Sequence, residues 1–152
     1  MCRPCQTRTM SDFEMTIEQR EAFLADLHVG VLAIERDGKG PLALPIWYAY
    51  ADGAVMISMA TDSAKANLLR RAGRATMTVQ DERPPYRYVS IEGPVTLAPY
   101  DEVEAFDIED VAKRYLGDEF GAEYAAANPP GDTTVIATIT PERWLTVDYG
   151  QR

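Results

Sequence analysis

The sequence predicts a mainly β protein with inserted helices, folded as an antiparallel barrel of six or seven strands. Short β-branched and apolar runs recur along the 152 residues. Most are joined by brief turn signals such as Asp52-Gly53, and short connections favour antiparallel neighbours. Strands and helices do not alternate throughout the chain, as a doubly wound parallel sheet would require.

The first part of the chain predicts one helix and a three-stranded meander. Thr16 and Gln19 have the spacing of a capping box, so we expect a helix over residues 17–27. Three strands separated by turns follow it, at residues 29–35, 42–50 and 55–60. Pro45 falls inside the second of them, which predicts an edge strand or a bulge because proline has no N–H for the ladder.

The remaining elements follow from caps and breaks. A helix is expected after the capping residues 61–63, ending at Gly73, which suits the position after a helix. Arg83-Pro84-Pro85 separates two further strands at residues 75–79 and 86–97. Helices are then expected over residues 100–116 and 118–127, and the last two strands over 133–140 and 143–148.

Composition and charge narrow the class of protein. The net charge of −9 makes generic nucleic-acid binding unfavourable. No apolar run reaches the roughly 18 residues of a membrane span, and residues 1–15 lack the apolar stretch of a secretory signal. We therefore expect a cytoplasmic protein with a loosely ordered leader at 1–15 and one domain at 16–152. Cys2 and Cys5 are the two cysteines of a Cys-x-x-Cys motif, and the further ligands that a zinc site needs are missing from the sequence.

The segment from Ser58 to Lys65 is the first candidate site. It runs from a predicted strand into a predicted helix, and a helix N-terminus offers unpaired N–H groups to an anion. Ser58, Thr61 and Ser63 supply hydroxyls, the small Ala60 permits close approach, and Lys65 adds a positive charge. This pattern predicts a phosphate site; the alternative is an ordinary capped helix.

The second candidate site is Pro45-Ile46-Trp47-Tyr48. Proline leaves backbone groups without ladder partners, and these could bind the edge of a planar heterocycle while Trp47 or Tyr48 contacts the ring. The alternative is a barrel strand whose aromatic residues fill the core. His28 is the only histidine, and no nucleophile motif accompanies it, so no catalytic residue is assigned.

Taken in order, these pieces resemble the flavin and deazaflavin oxidoreductases of the pyridoxamine-phosphate-oxidase-like split β-barrel family. Four segments carry the resemblance: Pro45-Ile46-Trp47-Tyr48 followed by Asp52-Gly53, Lys65-Ala66-Asn67-Leu68 with Arg70 and Arg71, Tyr86-Arg87-Tyr88-Val89 to Glu92-Gly93, and Pro141-Glu142-Arg143-Trp144. Together they cover nearly all of the chain from Thr16 to Tyr149. The resemblance implies a six-stranded antiparallel split barrel that forms a homodimer with cofactor sites at the subunit interface.

The resemblance also implies the cofactor. The branch that this sequence resembles most uses coenzyme F-420, an 8-hydroxy-5-deazaflavin with a phosphate and an oligoglutamate tail, which the basic residues Lys65, Arg70, Arg71 and Arg74 would suit. FMN is the alternative cofactor. Arg87 is expected to contribute from the partner subunit. The cofactor-binding residues expected from the resemblance are Pro45, Ile46, Trp47, Ser58, Met59, Ala60, Thr61, Lys65, Asn67, Arg70 and Arg87.

Two kinds of function are compatible with these residues. The first is an oxidoreductase that transfers a hydride between the deazaflavin and a small organic acceptor, with the protein supplying position and electrostatics. The second is a non-catalytic protein that carries or sequesters the cofactor. A haem-binding relative is less favoured, because His28 is a poor axial ligand at a predicted helix end.

Overall fold

The computed structural model of the chain describes residues 12–151, so Cys2, Cys5 and most of the expected leader lie outside it. Within that range the helices are α1 (Ile17–Ala25), α2 (Ala64–Ala72), α3 (Ile108–Leu116) and α4 (Asp118–Ala127), with a 3-10 turn at Tyr100–Glu102. The strands are β1 (Gly30–Ile34), β2 (Leu42–Ile46), β3 (Ala49–Ala51), β4 (Ala54–Ala60), β5 (Arg74–Asp81), β6 (Arg87–Pro99), β7 (Thr134–Ile139) and β8 (Arg143–Asp148). None of these helices is long and apolar enough to cross a membrane.

The strands form one curled antiparallel sheet in the order β2-β1-β5-β6-β7-β4-β3. The long strand β6 organises it: β5 pairs with one edge, while β8 and β7 share the other edge in succession. The result is a half-barrel of the split-barrel type, which confirms the fold class that the sequence predicts.

The strand count differs from the prediction because the expected strand at 42–50 is two strands. β2 ends at Ile46 and β3 begins at Ala49, so the chain breaks pairing at Trp47 and Tyr48. Pro45 lies in β2 opposite Val31, and β2 pairs with β1 alone among the described strands. The prediction of an edge strand at Pro45 is therefore confirmed, since an edge position leaves no ladder bond for proline to lose.

Helix boundaries follow local capping. The Thr16 hydroxyl accepts from the N–H of Gln19, as expected, but α1 ends at Ala25 rather than at residue 27. The predicted helix at 100–116 begins only at Ile108, where the Asp107 carboxylate accepts the N–H of Asp110 at 3.0 Å. The residues before it hold a 3-10 turn instead.

Two apolar clusters divide the side chains of β4. Val55, Ile57 and Met59 point into the barrel core, where they meet residues of α1, α2, β1, β5 and β6. Ala54 and Met56 point to the opposite face and join a second cluster with residues of α3. The alternation follows from the two-residue period of a strand. It places the α3–α4 pair against the outer face of the sheet beside β3 and β4.

Tyr48 illustrates how the strand break is anchored. Its side chain is fully buried, and its hydroxyl donates to the carbonyl of Leu24 at 2.6 Å. Burial raises the pKa of this phenol above its ordinary value, so it stays protonated. Tyr48 therefore fixes α1 to the β2–β3 junction and has no exposed ring for a ligand.

Replacing Tyr48 by phenylalanine should lower the free energy of unfolding by about 1–2 kcal/mol, because it leaves the Leu24 carbonyl buried without a donor. Chemical denaturation measures the loss. Tyr50→Phe is the control, since its hydroxyl contacts Glu21 at an exposed position. Equal losses in the two variants would contradict the assigned role of the Tyr48 hydroxyl.

Candidate functional site

The break between β2 and β3 opens a cleft in the sheet. Ala49 pairs with Met56 at the end of the β3–β4 ladder, and extending that register would set Trp47 opposite Ser58. The ladder stops before this point, and β2 instead pairs with β1. Among the described strands, the edge of β4 beyond Met56 and the outer edge of β2 therefore have no ladder partner on this side. Such edges carry backbone donors and acceptors that a planar ligand can bind.

A cavity of about 300 Å³ lies in this cleft. Its walls combine both sequence-predicted candidate segments, and none of its described lining residues is charged: Val29, Pro45, Ile46, Trp47, Ser58 and Tyr124. Its size is at the lower end of ligand-binding cavities. The structure thus brings together four of the expected cofactor-binding residues.

Successive side chains of β4 beside this cavity point to opposite faces of the sheet. Ser58 lies on the outer face, and no hydrogen bond to its hydroxyl is formed within the described residues. Met59 points into the barrel core with 6% of its surface exposed, so only its backbone is available to a ligand. Ala60 is exposed at the end of the strand. The hydroxyl of Ser58 can donate a hydrogen bond to, or accept one from, a polar or anionic ligand group.

Trp47 and Tyr124 form the aromatic wall of the cavity, and Tyr115 contacts the indole without lining the cavity itself. The Tyr115 ring stacks on the indole with centroids 5.0 Å apart and planes inclined by 2°. The Tyr124 ring contacts it at 5.5 Å with a tilt of 60°. Sequence reasoning did not identify either tyrosine, because a helical pattern does not tell which strand the helix will face.

The N-terminus of α2 has the features expected of an anion site. Ser63 caps it, with its hydroxyl accepting the N–H of Ala66 at 3.2 Å, and the first turn contains no acidic residue. Lys65 is half-buried, and no ion pair of its ammonium group is present among the described residues. The positive end of the helix and this ammonium group therefore favour an anion. Lys65 does not line the cavity beside Trp47.

The other basic residues of the expected anion site, two on α2 and one at the start of β5, already have partners. Arg70 donates to the carbonyl of Thr61 at 2.6 Å and to its hydroxyl at 2.5 Å, and it contacts the Asn67 amide oxygen at 3.4 Å. Arg71 pairs with Asp37 at 3.3 Å, and Arg74 with Glu142 at 2.8 Å. The last two ion pairs are exposed and hence weak, so a more highly charged anion can displace the Asp37 and Glu142 carboxylates from these arginines.

Comparison with known families decides the classification. The family model described as pyridoxamine 5'-phosphate oxidase matches residues 16–148. The chain belongs to this family. No curated protein matches the chain.

Three solved structures that share the fold have been described in different ways. A conserved hypothetical protein from Mycobacterium tuberculosis is 25% identical, with a TM-score of 0.78 over 95% of this chain and 92% of that one. A protein described as an F420 reductase is 23% identical, with a TM-score of 0.60 over 82% and 94%. A FAD-binding protein from Mesorhizobium loti is 20% identical, with a TM-score of 0.62 over 87% and 94%. The last two likenesses are likenesses of fold.

Arg87, which resemblance to the family led us to expect near the cofactor, lies elsewhere within one chain. It pairs with Asp81 at 3.0 Å, and its guanidinium lies 5.1 Å from the centroid of the Phe23 ring. Hydrogen bonds from the Arg83 backbone and from Arg87 lower the pKa of the Asp81 carboxyl. Arg87 lines two other cavities, of about 500 and 330 Å³, and does not line the one beside Trp47.

His28 lies in the link between α1 and β1. Its ring stacks on Phe23 at 4.3 Å, and its Nε2 atom is buried with no hydrogen-bond partner in the described residues. Desolvation lowers the pKa of this imidazole below its ordinary value of 6.5, outweighing the nearby carboxylates of Asp26 and Asp81. The neutral ring is therefore the form that the fold favours.

This depressed pKa predicts a pH dependence of stability. A lowered folded-state pKa stabilises the protein above the unfolded value, and that stability is lost as the pH falls from about 6.5 through the folded-state pKa. Because His28 is the only histidine, the free energy of unfolding of His28→Gln should vary less between pH 7.5 and 5.5. Denaturation at each pH measures this. The same slope in both proteins would contradict the assignment.

Proposed function

We propose that this protein binds a phosphate-bearing deazaflavin or flavin in the cleft between β2 and β4 and uses it as an oxidoreductase. The observation that carries the proposal is the cavity that joins Pro45, Ile46 and Trp47 to Ser58, in a chain whose β4 leads directly into the N-terminus of α2. Coenzyme F-420 is the first candidate and FMN the alternative.

The proposed phosphate site is the start of α2. Ser63 satisfies the N–H of Ala66, while the amides of Ala64 and Lys65 have no acceptor in the described part of the chain. A phosphate would accept from these amides and from the Lys65 ammonium group. Thr61 stands beside them with its carbonyl and hydroxyl held by Arg70. The residues present therefore fit a phosphate.

The proposed ring site is the cavity beside Trp47. Its uncharged lining and the free edges of β2 and β4 suit a flat heterocycle whose rim carries donors and acceptors. The bound ring system would supply the hydride-transfer chemistry. The residues of this chain would orient the ring, hold its phosphate and exclude water from its face. No catalytic side chain is assigned, and Tyr48 is excluded from contact by its burial.

The choice of F-420 over FMN rests on the basic residues beyond Lys65. Arg71 and Arg74 form only exposed ion pairs, with Asp37 and Glu142, and an oligoglutamate tail could replace those carboxylates. FMN has no such tail. A protein described as an F420 reductase and a protein described as FAD-binding both share the fold, so likeness of fold is compatible with either cofactor.

We also propose that the working unit is a homodimer. Three apolar side chains are exposed at this cavity or on elements that line it: Val29 at 51% in the lining, Val31 at 42% opposite Pro45, and Phe120 at 67% one turn of α4 from Tyr124. Exposed apolar groups gathered in this way are typical of an interface. A second subunit would cover them, and its Arg87 could then reach the cofactor. Dilution to monomer should release bound cofactor, measured by ultracentrifugation; a monomer that binds fully would contradict the shared site.

Direct titration tests the proposed function. Purified protein is titrated with F-420 and separately with FMN while tryptophan fluorescence is followed. Saturable quenching by F-420 at lower concentrations than by FMN supports the deazaflavin assignment, and the reverse order moves the protein to the flavin alternative. If neither compound binds, the proposed function is wrong.

The second candidate function is a non-catalytic cofactor carrier, which would need the same phosphate site but no acceptor position beside the ring. The uncharged cavity has an exposed aromatic wall at Tyr124, which favours the oxidoreductase. Steady oxidation of reduced F-420 by a panel of electron-poor acceptors distinguishes the two. A protein that binds the cofactor tightly and turns over none of them is a carrier.

A further inference from the structure

Tyr115 joins three separate parts of the chain at the break between β2 and β3. Its hydroxyl donates to the carbonyl of His28 at 2.6 Å and accepts the N–H of Tyr48 at 3.2 Å. Tyr48 lies between the two strands, so its amide belongs to neither ladder. A side chain from α3 therefore replaces the strand partner that the break removes.

The same side chain orients the neighbouring indole. The Tyr115 and Trp47 rings are almost parallel, at 2°, with centroids 5.0 Å apart. The Tyr115 ring is held in place, because its hydroxyl is bonded to the backbone of His28 and to that of Tyr48, the residue after Trp47. Burial raises the pKa of this hydroxyl, so it remains a neutral donor near pH 7.

We propose that Tyr115 is a positioning residue, which holds the Trp47 indole as a rigid wall of the cavity and thereby sets affinity for the ring system that binds there. This inference rests on the proposed function. Trp47 lines the cavity and Tyr115 does not, so Tyr115 acts through its neighbour. The α3–α4 pair, inserted between β6 and β7, thus reaches a ligand site formed by the edges of β2 and β4.

Two substitutions separate the two contacts of Tyr115. Tyr115→Phe keeps the stacked ring and removes the hydroxyl, whereas Tyr115→Leu removes the stack as well. Trp144→Phe provides the background, because Trp47 and Trp144 are the two tryptophans of the chain. Time-resolved fluorescence anisotropy then reports the motion of Trp47 alone in protein without cofactor.

We expect Trp47 to follow overall tumbling in the parent protein and to gain a fast component in Tyr115→Leu. Affinity for F-420 or FMN should fall about threefold to tenfold in Tyr115→Leu, the range of a lost aromatic pair. Tyr115→Phe, which keeps the stacked ring, should retain most of the rigidity of the Trp47 indole. A general loss of stability would not reproduce this order, and thermal melts measure it in parallel.

Tyr100→Phe is the matched control. Tyr100 packs against the same apolar cluster and its hydroxyl accepts a backbone N–H, from Ile108 at 3.4 Å, but its one described ring partner is Phe106. It should leave both the anisotropy and the affinity unchanged. An immobile Trp47 in Tyr115→Leu, or unchanged affinity, overturns the inference. If the parent binds neither cofactor, the proposed function fails, and the anisotropy still decides whether Tyr115 immobilises Trp47.

Discussion

Lys65→Ala is expected to weaken cofactor binding by about tenfold to a hundredfold, with little change in the melting temperature. The loss corresponds to about 1.5–3 kcal/mol for a hydrogen bond to a charged group. Folding should be unaffected, because no ion pair or hydrogen bond of the Lys65 side chain is present among the described residues. Fluorescence titration with F-420 and with FMN measures the loss.

A matched charge removal controls for net charge. Lys39 lies exposed in the turn between β1 and β2, and Lys39→Ala lowers the charge of the protein by the same amount. It should retain parental affinity. If Lys65→Ala also retains it, the phosphate does not bind at the start of α2. If both variants lose affinity equally, the effect is one of overall charge.

Gly93→Ala should destabilise the fold by about 3 kcal/mol or more, because the backbone leaves no room for a methyl group. At Gly93, β6 changes its partner from β8 to β7. A Cβ there would lie 1.8 Å from the carbonyl oxygen of Thr140 and 2.8 Å from its carbon. The backbone of β6 and the link between β7 and β8 would have to move apart, since the clash is with backbone and not with a flexible side chain.

Chemical denaturation of Gly93→Ala measures this loss, with Gly131→Ala as the control. A Cβ at Gly131 would meet no atom within 4 Å, so that substitution should change the free energy of unfolding by only a few tenths of a kcal/mol. A Gly93→Ala variant as stable as the control would contradict the close approach of the Gly93 and Thr140 backbones.

Several parts of the fold could be predicted because their causes are local. The Thr16 cap and the αL glycine at 73 depend on residues within one turn and lie where the sequence indicates, and Ser63 is one of the three caps that it leaves open for α2. The edge position of Pro45 follows from its missing N–H. The split of the 42–50 segment was missed, because it depends on Tyr48 reaching Leu24 and Tyr115.

By itself, then, the sequence determined an antiparallel β protein with a basic, acid-free helix start after β4, since turn residues, caps and strand periodicity act over a few neighbours. Only the tertiary structure decided that Pro45 to Trp47 and Ser58 line one cavity, that Met59 faces the core, and that Arg87 lies elsewhere in the chain. It also added Tyr115 and Tyr124 to the site. The reason is physical: strand pairing and helix docking join residues far apart in sequence, and their choice of face depends on burial of the whole apolar surface.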